Sequence, residues 1–181
     1  MTTQVLSNHG LKFDFVDTTD AQNIKEAIKP ETKWVFIETP TNPMLEVTDI
    51  AAVSKICKES NIKFAVDNTF MSPFGQRPSE HGADCVMHST TKFIGGHSDV
   101  LGGVLVAKDK ELSDKLHFIQ KSGGAIPSPF DAWLLLRSVK TLGMRVQKAS
   151  DNAMVIANYF DSNSKIAKTI YPGLDSHPQN S

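Results

Sequence analysis

Three short runs in this chain, KWVFIETP (33–40), IKFAVDNTF (62–70) and DCVMHSTTK (84–92), are apolar over successive positions and then end in polar residues. A strand that is apolar at every position has to be buried on both faces, which is the habit of parallel strands packed between helices. Between these runs the spacing turns helical. Asp20 to Ile28 forms one such stretch before Pro30. Asp49 to Ser60 forms another, placing Ile50, Val53, Ile56 and Cys57 on one face behind Thr48 as a capping residue. Strand and helix alternating at this interval predict a largely parallel α/β sheet covered on both faces.

The flanks add elements of less regular kind. LKFDFVD (11–17) alternates polar with apolar and predicts a strand, and VLGGVLVAK (100–108) predicts another. Helices are expected over Lys108–Gln120, Pro129–Leu142 and Arg145–Tyr159, separated by SGGAIPSP and by Gly143. AKTIYPGLDSHPQNS then begins a further strand. Both ends have the look of a cut: the expectation is a piece of a longer chain, with sheet edge and apolar surface left bare.

The remaining bulk properties narrow the function classes. A chain of 181 residues suffices for one domain with a sizeable core, or one domain and part of a second. Its net charge of −1 supplies no clustered basic face for nucleic acid. No run approaches the roughly 18 apolar residues of a membrane span. The opening MTTQVLSNHG lacks the basic start and apolar middle of a secretion signal. Cys57 and Cys85 form no C-x-x-C pair, which argues against zinc and disulfides and suits two small buried residues in a reducing compartment. A cytoplasmic location is expected.

In an open α/β sheet, ligands gather at the carboxyl ends of the strands. Here those ends carry Glu38 and Asn42, then Asp67 and Asn68, then Ser89, Thr91 and Lys92, with the GGHSD loop beside them. No set of histidines and carboxylates resembles a metal site, and no G-x-S-x-G elbow is present. One amine, one separate carboxylate and several hydroxyls suit pyridoxal phosphate. The amine condenses with the cofactor aldehyde, the carboxylate holds the ring nitrogen protonated, and the hydroxyls take the phosphate dianion. Two plainer readings stand beside this one. Lys92 can be a solvated strand end, and Asp67, Ser89 and Thr91 can be turn residues.

Four ordered segments decide between them: ETPTNP (38–43), VDNTFMSPFGQRP (66–78), HSTTKFIGGHSDVLGG (88–103) and GAIPSPFDAWLLLRSVKTLGMRV (124–146). Together they resemble the Cys/Met-metabolism family of pyridoxal phosphate enzymes from about residue 11 to the end. That resemblance implies the fold type I (aspartate aminotransferase-like) large domain, incomplete at both ends. Residues 1–160 would form the cofactor-binding domain without its N-terminal part, and 161–181 the start of a truncated C-terminal domain. It further implies Lys92 as the residue that bonds the cofactor and shuttles protons, and Asp67 as partner of the pyridine nitrogen. Ser89 and Thr91 would bind phosphate. Asn42 would lie near the cofactor's phenolic oxygen and the substrate carboxylate, with Glu38 in support. His97 and Asp99 are read as loop-shaping residues, and Arg137 and Arg145 as structural.

The family's members act on amino-acid thioethers such as cystathionine and are typically tetramers, with a neighbouring subunit completing the phosphate cup. The upstream phosphate loop, the aromatic that stacks on the ring and the substrate-binding arginine have no counterpart in these residues. Ser138 and His81 depart from the family's usual glycine and leucine, away from the chemistry. GAIPSPFDAWLLLR together with IYPGLDSHPQ looks most like the family's γ-cleaving members, which implies cleavage of cystathionine to cysteine, 2-oxobutanoate and ammonia. The alternatives are β-cleavage, γ-synthesis or methionine γ-cleavage by the same machinery, and a truncated, non-catalytic subunit.

Overall fold

The computed structural model describes residues 3–180. Its centre is a four-stranded sheet in the order β1 (Trp34–Glu38), β2 (Lys63–Asp67), β3 (Cys85–Ser89) and β4 (Gly103–Ala107). The first three strands run parallel, with Ile37 beside Val66 and Val66 beside Val86. β4 turns back antiparallel to β3, so the sheet is mixed rather than uniformly parallel. The reason lies in the connection. Residues 90–102 hold one tight turn and no crossover helix, and a parallel return needs such a crossover.

Helix α1 (Ala21–Ala27) and helix α2 (Ile50–Glu59) cover one face of this sheet. Ile24 from α1 and Ile50, Val53 and Cys57 from α2 pack with Ile37, Phe64, Val66, Ala83 and Val86 into the buried core. The cap of α2 is Asp49, whose Oδ1 accepts the Ala52 N–H at 2.9 Å, and not Thr48 as the sequence suggested. Thr48 is buried, its N–H donated to Thr39 Oγ1 and its hydroxyl shared with Thr18. At the other end of α2, Asn61 adopts the left-handed conformation (φ 54°), and the Ile62 N–H bonds back to the Cys57 carbonyl at 2.9 Å. That is a helix stop, and it fixes the short path into β2.

Two expected strands are absent. Residues 11–17 pair with no neighbour, and the apolar alternation does not set their burial: Leu11 and Phe15 are exposed, while Val16, of the other parity, packs against the core. Residues 162–180 form turns, anchored by Gln179, whose side chain bonds both the N–H and the carbonyl of Val47. Cover on both faces is also incomplete. Trp34 and Phe36 of β1 and Leu105 of β4 are exposed on the face opposite α1 and α2.

A single turn, α3 (Ser72–Gly75), follows β2, and after β4 come α4 (Lys110–Gly123), α5 (Pro129–Ser138) and α6 (Leu142–Asp161). Asp109 and Ser128 cap α4 and α5 through the Leu112 and Asp131 N–H groups. Among the described residues, no helix is long and apolar enough to cross a membrane. Nor does any group of three or more His, Cys, Asp or Glu stand placed for a metal.

Candidate active site

Successive strand residues face opposite sides, so the pairing register decides what meets at the carboxyl edge. Glu38 lies beside Asp67, and Asp67 beside Met87, two residues before Ser89. Glu38, Asp67 and Ser89 therefore share one face, the one turned away from α1 and α2. A cleft of about 1210 Å³ opens there. Glu38, Asn42, Asp67, Ser89, Thr91 and Lys92, the six residues given a part toward cofactor or substrate, line it. Phe70, Phe93, Asp99, Asp131 and Arg145 also contribute to its wall.

Asn68, next in sequence, faces the other way and is fully buried. Its Nδ2 donates to the Ser72 and Gln76 carbonyls, which holds the turn into the short helix 72–75. His88, also on the buried side, donates from Nδ1 to the Asn68 carbonyl at 3.1 Å. The acceptor is a carbonyl, so Nδ1 carries the proton. Burial pushes the imidazole below its ordinary value and keeps it neutral.

Thr69 was not singled out from the sequence, yet it joins two strand ends. Its hydroxyl donates to Asp67 Oδ1 at 2.5 Å and accepts the Ser89 N–H at 2.8 Å. The Thr69 N–H reaches the same carboxylate oxygen at 3.0 Å. The only prior signal was its place two residues after an aspartate, the spacing of an Asx turn.

Glu38 is drawn above its ordinary value of 4.5, chiefly by burial and then by the Asp67 carboxylate, against a hydrogen bond from the Asn42 backbone. The sign for stability follows from linkage. A carboxyl raised in the folded state favours its protonated form there. It costs the fold nothing below 4.5, and the penalty grows as pH climbs through the raised value. Glu38→Gln is therefore expected to raise the melting temperature at neutral pH and leave it unchanged at about pH 4. A melting difference that is equal at both pH values would contradict this.

The lysine sits in a tight turn over residues 90–94 that closes on the glycine pair. The Gly95 N–H bonds to the Thr90 carbonyl and the Gly96 N–H to the Lys92 carbonyl, both at 2.7 Å. Lys92 itself leaves helical geometry (φ −91°, ψ −122°). A side chain at Gly95 would meet Val100 at 2.6 Å and the Thr90 carbonyl at 2.7 Å, so only glycine fits. Among the described residues Lys92 Nζ and Ser89 Oγ have no hydrogen-bond partner. Thr91 differs: its hydroxyl already accepts from the Gly102 N–H and donates to the Gly102 carbonyl, tying the turn to β4. His97 bonds the Gly95 carbonyl through Nδ1, a loop-shaping contact.

The donor set fits pyridoxal phosphate. A free primary amine, a carboxylate fixed by two donors, and an unengaged hydroxyl beside a second one face the same space, which is large enough for the cofactor and an amino acid.

Comparison with known proteins agrees with that chemistry. The family described as "Cys/Met metabolism PLP-dependent enzyme" matches residues 1–181. The chain is 51% identical to the "Probable cystathionine gamma-synthase" of Herpetosiphon aurantiacus, covering 97% of this chain and 55% of that protein. It is 50% identical to the cystathionine gamma-lyase of Dictyostelium discoideum, covering 98% of this chain and 46% of that protein. Its fold superposes on the crystal structure of cystathionine gamma-lyase from Lactobacillus plantarum complexed with L-serine with a TM-score of 0.95 and 42% identity. That match covers 97% of this chain and 46% of the other. The chain thus spans about half the length of the relatives it matches. With this fold, this cleft and these likenesses together, the chain belongs to the Cys/Met-metabolism family of pyridoxal phosphate-dependent enzymes.

Proposed function

We propose that this chain carries the cofactor-binding part of a pyridoxal phosphate-dependent carbon–sulfur lyase that cleaves cystathionine. One water is consumed, and cysteine, 2-oxobutanoate and ammonia are released. The observation that carries the reading is the meeting of Lys92, Asp67 and Ser89 in one cleft, on strands that end side by side.

When bound, pyridoxal phosphate supplies an electron sink for the pair left at the substrate α-carbon. The protein residues do the rest. Lys92 Nζ would bond the cofactor, and as a free amine it would take the α-proton and return one later. Asp67, oriented by both donors of Thr69, holds the proton on the ring nitrogen. Ser89 would donate to the phosphate, as would Thr91 once its hydroxyl turned from Gly102. Asn42 would lie near the ring oxygen and the substrate carboxylate, with Glu38 in support. A cytoplasmic site of action, a domain boundary near residue 160 and a homo-oligomer, a tetramer by family habit, complete the proposal. The wide apolar exposure on α5, at Phe130, Trp133 and Leu136, supports the last of these.

The relatives' names divide between γ-lyase and γ-synthase at almost equal identity, so identity does not choose the reaction. Product analysis does. The protein is incubated with pyridoxal phosphate and cystathionine and the keto acid identified. 2-Oxobutanoate is expected. Pyruvate would replace the reading with β-cleavage, and no keto acid, with no visible band on adding the cofactor, would replace it with a non-catalytic subunit.

A further inference from the structure

Arg145 is the least explained charge in the cleft. It lies in the first turn of α6 and is half-buried, and no carboxylate pairs with it among the described residues. Its partners are instead backbone carbonyls and one hydroxyl. Nη1 donates to the Phe93 carbonyl at 2.6 Å, Nη2 to the Ser138 carbonyl at 2.9 Å, and Nε to Thr141 Oγ1 at 3.0 Å. Nη2 also points at the Ile94 carbonyl, 3.5 Å away.

Phe93 and Ile94 directly follow Lys92. In a longer helix their carbonyls would accept the N–H groups of the next turn. Here the helical turn stops at the glycine pair, and the guanidinium substitutes for that missing turn. The glycine pair makes room for it. A Cβ at Gly96 would lie 2.1 Å from Nη1, and φ there is +74°.

We infer that Arg145 is a positioning residue for Lys92: it sets the direction of the amine by clamping the two carbonyls that follow it to the end of α5. The inference rests on the reading of Lys92 as the cofactor-bearing residue. The fork geometry is essential to it. A guanidinium reaches carbonyls on two separate segments at once, whereas an ammonium is a point charge on a flexible stem. The turn is held on one side by Thr91 against Gly102 and on the other by Arg145, while the lysine amine at its middle stays unengaged.

The test uses the chain as it is, in two arms. In the first, without cofactor, hydrogen exchange is followed at the Gly95 and Gly96 amides. Arg145→Lys and Arg145→Gln are expected to speed it about tenfold, the loss of one to two charge-assisted bonds, with exchange in β1 to β3 unchanged. In the second, titration with pyridoxal phosphate is read from the visible band and from the lysine trapped by borohydride. The same variants should weaken attachment about tenfold. Should Arg145→Gln fail to fold, Thr141→Val removes the Nε contact together with the Thr141 hydroxyl's bond to the Ser138 carbonyl, and should shift both readouts the same way, about threefold.

Unchanged exchange at the two glycines overturns the inference. So does an increase spread evenly over the sheet, because Arg145 would then be a general support. A native protein that shows no band refutes the role given to Lys92, and the exchange arm then decides the clamp by itself.

Discussion

Lys92→Ala is expected to abolish the visible band that forms with pyridoxal phosphate and to leave no lysine trapped by borohydride. It should slow release of keto acid by at least about 10⁴-fold, because a covalent anchor and a proton carrier vanish together. The fold should not notice. The side chain is exposed and has no hydrogen-bond partner among the described residues, so its removal belongs with surface changes, within about 0.5 kcal/mol. This separation is what makes the variant informative. A residue that merely ends a strand would give no functional loss, and one that supported the turn would lower the melting temperature. A band that persists in Lys92→Ala would move the chemistry to another amine.

Phe64→Ala has the reverse profile. Phe64 is 1% exposed, the second residue of β2, beside Val35 of β1 and in the core with Ile50, Val53 and Cys57 of α2. Truncating a buried phenylalanine costs about 3–5 kcal/mol through lost transfer energy and the cavity left behind. For a chain of this length the melting temperature should fall on the order of 10 °C. Calorimetry or circular dichroism measures it directly. The cleft feels it secondarily, since Phe64 sits in the strand that carries Asp67. A fall of under about 2 °C would mean the core is not organised around this ring.

The parallel part of the sheet was legible because burial on both faces leaves its own imprint, successive apolar residues followed by polar ends. The site was legible for the same reason: Glu38, Asp67 and Ser89 are where those runs stop. Other features depend on partners that a linear pattern does not carry. Residues 11–17 alternate as a strand does, yet Leu11 and Phe15 of that apolar set stay exposed and no neighbour offers them a ladder. The direction of β4 was available in principle, since FIGGHSDVLGG holds no helix to carry a parallel return. Thr48 and Asp49 are both good caps, and the choice fell to Asp49 because Thr39 and Thr18 engage Thr48. Thr69 and Arg145 act across 20 and 52 residues respectively, at distances that spacing rules do not reach.

The in-register meeting of Glu38 with Asp67 carries a consequence for how such a chain is free to vary. The link Ser60–Ile62 between α2 and β2 is too short to absorb a lost or gained residue. One deletion there would slide β2 by about 3.3 Å and reverse its parity, turning the acid of position 67 toward the helices and the neighbouring amide outward. Length polymorphism is thereby closed to this joint, and change there is confined to substitution.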